Sequence, residues 1–79
     1  MNFLNRKLLL NTLIKHETLT LTDIGKEKIL GLVPEKHHLQ LLLDELEQDS
    51  YIQKLNGVVP STYTISDKGI AEGIRLSRI

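Results

Sequence analysis

Seventy-nine residues with 41% hydrophobic content, ten basic and ten acidic side chains and no cysteine describe one small domain, 1–79, that must hold by packing, without disulfides or a zinc–cysteine staple. A formal net charge of zero withholds the whole-protein attraction that many nucleic-acid binders use and leaves room only for a local basic edge. No apolar run exceeds three residues, against the roughly 20 that a membrane span needs, and Met1-Asn2-Phe3 lacks the charged-then-apolar order of a signal peptide. A soluble, cytoplasmic chain with no membrane partner is expected.

In chain order, Phe3, Leu9, Leu10, Leu13 and Ile14 share one broad sector of a helical wheel and Leu4 and Leu8 a second, which predicts a helix over 3–15. That surface is wider than one neighbour covers, so Leu4 and Leu8 should meet the C-terminal segment of the same chain or, failing that, another subunit. Thr18-Leu19-Thr20 alternates polar and β-favouring residues and predicts a short strand over 18–20. Thr22-Asp23 supplies an N-cap and first turn for a helix over 22–30, weakened by Gly25 and ended by Gly31.

The most regular stretch follows. Pro34 and Glu35 suit a helix start, and Leu39, Leu42, Leu43 and Leu46 fall at i, i+3, i+4 and i+7, predicting a helix over 35–48 with one buried face. The opposite face carries His37, Gln40, Leu41, Asp44 and Gln48, with His38 and Lys36 towards its edges. Two β-prone runs, Tyr51 to Leu55 and Thr62 to Ser66, flank the Asn56-Gly57 turn signal and Pro60, which reads as a hairpin over 51–66. Ser66-Asp67 then caps a helix over 67–77, in which Ile70, Ala71 and Ile74 are placed to face the core. Gly69 and Gly73, one turn apart, are read as tolerated in a terminal helix or as a close contact across a dimer axis. The fold class is α+β, mostly α.

The runs L-D-E-L-E-Q-D-S-Y-I (Leu43 to Ile52) and Y-T-I-S-D-K-G (Tyr63 to Gly69) resemble the winged helix-turn-helix superfamily, in particular the MarR-, PadR- and ArsR-like small bacterial transcriptional regulators. The family shows a helix exit of leucine, glutamate, two polar residues, glycine, an apolar residue and isoleucine, then a wing exit of tyrosine, x, apolar, threonine, x, x, glycine. The likeness covers about residues 3 to 75. It implies that helix 22–30 is the positioning helix, 35–48 the recognition helix and 51–66 the wing, with double-stranded DNA as partner. Gln40 would then stand at a principal base-contacting position, where a glutamine amide can pair with adenine. Lys36, His37 and His38 would meet phosphate or guanine, Leu41 and Asp44 would share that face, and Lys26, Lys28, Lys54 and Asn56 would complete a rim.

Two features depart from that pattern. Asp44, Glu45, Glu47 and Asp49 crowd the distal half of the same helix, and Val58-Val59 stand in the wing where the family commonly has arginine, so tight, steeply salt-dependent binding is not implied. The long dimerisation helices of MarR-like relatives have no counterpart either. A homodimer would have to use Leu4 and Leu8 of the first helix or the helix over 67–77, and a monomer would also be consistent.

A second function class remains open, a protein-interaction module that presents Leu41, Val58 and Val59 to a partner. A metal site at His37-His38 is disfavoured, since adjacent helical residues point about 100° apart and neither histidine has a histidine or cysteine at i+4. No phosphate-binding glycine loop, nucleophile elbow or cysteine is present, so neither an enzyme nor a cofactor is expected.

Overall fold

A computed structural model describes residues 3–78. The elements are α1 (Arg6–His16), β1 (Thr18–Thr20), α2 (Leu21–Ile24), α3 (Glu27–Leu30), α4 (Lys36–Gln48), β2 (Ile52–Lys54), β3 (Thr62–Ile65) and α5 (Asp67–Ser77). The domain is α+β and mostly helical, with one antiparallel sheet in the order β1-β3-β2. None of its helices is long and apolar enough to cross a membrane, among the described residues.

Helix α1 starts three residues later than its apolar pattern predicts. Asn5 is extended and its side chain accepts the Leu8 N–H at 2.8 Å, so the cap stops the helix there and leaves Phe3 outside it, 68% exposed. Leu9, Leu10 and Leu13 are fully buried, while Leu4 and Leu8 pack against the core of the same chain.

The helix expected over 22–30 is two single turns. Thr20, not Thr22, caps the first by accepting the Asp23 N–H, the backbone becomes extended at Lys26, and the second turn ends at Gly31 with φ 80°. Ile24 and Leu30 do not share one face of a continuous helix, and the break at Gly25-Lys26 lets both reach the core. At α4 the expectation holds to within one residue: Glu35 is the cap rather than the first turn, and Leu39, Leu42, Leu43 and Leu46 are all buried.

In the sheet, Leu19 faces Tyr63 and Tyr63 faces Lys54, while Ile52 faces Ile65, so one face gathers Leu19, Tyr63, Ile52 and Ile65 over the helices. The other face carries the Thr18–Thr64 hydroxyl pair at 3.0 Å. The hairpin is therefore as expected, though Tyr51 precedes its first strand.

Helix α5 turns a different face inward from the one its hydrophobic pattern suggests. Ile74 is 46% exposed and Ala71 is exposed, whereas Gly69 and Gly73 are buried. A Cβ on Gly69 would overlap the Tyr51 carbonyl oxygen, and one on Gly73 would overlap Ile14 Cδ1. The two glycines are neither passively tolerated nor at a subunit boundary. They let α5 close onto α1 and the α4–β2 junction within one chain.

Candidate nucleic-acid interface

The leucine face of α4 binds the helix to the core and leaves its other face uncovered. At the start of that face the Glu35 carboxylate accepts the His37 and His38 backbone N–H groups at 3.1 and 2.7 Å. Those amide hydrogen bonds, from His38 first and His37 second, hold its carboxyl below the ordinary value of 4.5. The helix terminus, ordinarily a ready anion site, is thus occupied by the chain's own carboxylate. Any phosphate contact there falls to side chains.

Lys36 is exposed at this end, and the wholly exposed His37 ring lies 3.3 Å from Glu35. Together with Leu39 and Gln40 they line a groove of about 720 Å³ shared with Leu21, Thr22, Gly25, Val33 and Pro34. His38 does not join them. Its Nε2 lies 3.1 Å from the Leu4 carbonyl oxygen, in a recess shared with Arg6, Leu42, Glu72 and Leu76 between α1 and α5. The adjacent histidines accordingly serve different surroundings.

Midway along α4, Gln40 Nε2 donates to Asp44 Oδ1 at 2.9 Å and reaches the Tyr63 hydroxyl at 3.4 Å. Tyr63 is 1% exposed and comes from the central strand, so the sheet itself supports the helix's polar face. Leu41 is 57% exposed and lines a shallow acidic recess with Asp44, Glu45, Gln48 and Asp49. Asp49 pairs with Arg6 at 2.9 Å.

The rim residues divide. Lys26 pairs with Asp23 at 3.2 Å, and that bond, with the Thr20 hydroxyl, holds the Asp23 carboxyl below its ordinary range. Lys28 is exposed on α3. Lys54 and Asn56 line a recess with Glu47, Ser50 and Leu55 beside the distal end of α4, away from Lys36 and His37. At the hairpin tip Val58 and Val59 are 44% and 96% exposed.

Of the residues expected on the outer face of this helix or at its edges, His37, Gln40 and Lys36 line one groove and His38 does not. Glu35, expected at the helix start, is its cap; the contact of Tyr63 with Gln40 was not expected. The i, i+4 spacing of Gln40 and Asp44 was the one local signal for their bond. Only the strand register brings Tyr63 to them. No protein-family model matches the chain, and neither a curated protein nor a solved structure matches it.

Proposed function

We propose that this chain is a small cytoplasmic winged helix-turn-helix module that binds duplex DNA as a transcriptional regulator, with α4 as recognition helix and the β2–β3 hairpin as wing. The observation that carries the reading is the uncovered face of a 13-residue helix whose Lys36, His37 and Gln40 stand together beside a groove, with a hairpin from the next two strands alongside. The element order helix, strand, paired short helices, long helix, hairpin supports it.

Its electrostatics set the strength. Lys36 at the start of α4, Lys54 beside its distal end and Lys28 on α3 are exposed cations, whereas Lys26 is shared with Asp23 and the helix terminus with Glu35. Three phosphate contacts correspond to a log–log salt slope of about −3, and non-specific binding of this kind has a Kd of roughly 1–100 µM at physiological salt and is tighter at low salt. If two copies share a site, Leu4 and Leu8 are already engaged within the chain, and the outer side of α5 around Ile74 is the surface left for pairing.

The test is fluorescence anisotropy of a labelled mixed-sequence duplex at low and physiological salt. Binding that weakens with salt, with Lys36→Ala lowering affinity for all sequences and shrinking the slope by about one, supports the reading. No binding at about 50 µM protein in low salt overturns it, since non-specific binders of this kind reach that range.

A second reading is favoured by one specific observation, the exposed Leu41 and the apolar hairpin tip, Val58-Val59. Here the same domain presents Leu41, Val58 and Val59 to a protein. Leu41→Glu then abolishes partner binding, while a DNA-binding domain keeps its salt-dependent duplex affinity.

A further inference from the structure

Resting on the DNA-binding reading, we infer that the Gln40–Asp44 pair is a specificity element selecting cytosine at one base step. The Gln40 amide nitrogen has two hydrogens, and the structure directs it to Asp44 Oδ1 at 2.9 Å and to the Tyr63 hydroxyl at 3.4 Å. What stays free on the pair is the Gln40 Oε1 and the remaining capacity of the Asp44 carboxylate, which are acceptors only.

Major-groove edges meet such a pair unequally: guanine and thymine offer it no donor, and adenine offers one only beside an acceptor that the Asp44 carboxylate repels. Cytosine presents the N4 amino donor. Guanine presents two acceptors, thymine an acceptor and a methyl group, and adenine sets its N6 donor beside the N7 acceptor. The usual bidentate glutamine–adenine contact needs an amide N–H for N7, and Asp44 already holds it. Asp44 also repels phosphate, so it lowers affinity for every duplex and returns affinity only where an amino group is offered.

Both residues sit on the uncovered face of α4, and the buried Tyr63 fixes the glutamine from below, so Tyr63 is a positioning residue. The pair is set before DNA arrives.

The experiment is selection from a randomised duplex pool, followed by anisotropy titration of duplexes that differ at the selected step, for the full chain and for Asp44→Asn and Gln40→Ala. Both substitutions are on the outer face of α4 and leave its leucines in place. The expected result is a preference of about tenfold for cytosine over thymine at one step, the lower range for a good base contact. Asp44→Asn should reduce it below about twofold while raising affinity for the disfavoured duplexes, and Gln40→Ala should weaken it. Duplex binding without a cytosine preference, or a preference that Asp44→Asn leaves intact, overturns the inference and spares the DNA-binding reading. Absence of binding to any duplex overturns both.

Discussion

Replacing Gly69 by alanine should destabilise the domain even though it adds a better helix former. In a helix interior alanine gains about 1 kcal/mol over glycine, an upper bound for Gly69 in the first turn of α5. Here the new Cβ would overlap the Tyr51 carbonyl oxygen, a backbone atom with no rotamer to yield, and the Ile65 side chain closes the same space. Overpacking of this kind costs about 1–3 kcal/mol, and the upper end applies where backbone must move. The same carbonyl accepts the Ser66 N–H at 3.1 Å and the Ser66 hydroxyl at 2.9 Å, so shifting α5 also weakens a bond worth about 1 kcal/mol. The net is a loss of about 2–3 kcal/mol, or roughly 10–20 °C in Tm for a domain this size. Thermal melts followed by circular dichroism measure it, with Gly25→Ala as the control. Gly25 is already right-handed with φ −73°, and its added Cβ would meet only the Thr22 and Leu21 carbonyl oxygens at 3.5 and 3.6 Å. That variant should gain about 0.4–1 kcal/mol. A Gly69→Ala melt at or above the parent would refute the argument that close approach to Tyr51 holds α5.

Three further outcomes follow from the same geometry. Ser50 adopts φ 66°, so Ser50→Gly should relieve left-handed strain and raise Tm by roughly 2–8 °C in the same melts, about 0.5–1 kcal/mol. Asp23, Glu35 and Glu72 all have depressed carboxyl pKa values, from the Lys26 side chain, the His38 and His37 amides, and the Arg75 guanidinium respectively. Their stabilisation is present above the ordinary values of 3.8 and 4.5 and is lost as pH falls through the depressed ones; acid titration of Tm should show the fall, and Glu35→Gln should flatten part of it. Glu35→Ser keeps a capping oxygen but removes the charge at the head of α4, so duplex affinity at low salt should rise about two- to fivefold in anisotropy titrations without loss of helix content.

How far the sequence could be read follows from the range of the forces involved. The α4 stripe was legible because four leucines at helical spacing report burial with no knowledge of the partner. The hairpin was legible because Asn56-Gly57 and Pro60 are local constraints. The α5 face was misread for a physical reason. Hydrophobicity marks Ile70, Ala71 and Ile74, but the deciding quantity is the distance to the Tyr51 backbone and to Ile14, which only glycine permits. The break in the second helix was hidden similarly, since Thr20 and Thr22 are both plausible caps and tertiary burial of Ile24 and Leu30 chooses between them.

The same division applies to the interface. Side chains on one helix face are fixed by a 100° rotation, so Lys36, His37 and Gln40 emerge from the sequence together. Whether they are free to bind depends on partners remote in sequence. Tyr63 lies 23 residues from Gln40, and the Leu4 carbonyl 34 residues from His38. These contacts turn a uniform polar face into three unlike parts: a cationic start capped by Glu35, a braced acceptor pair at Gln40 and Asp44, and an acidic end around Leu41. If the domain binds DNA as proposed, the only cations on this face stand in the first part, and the second part could meet bases only by accepting hydrogen bonds. On the proposed reading, a domain built this way would gain little from charge, and its selectivity would rest on that central pair.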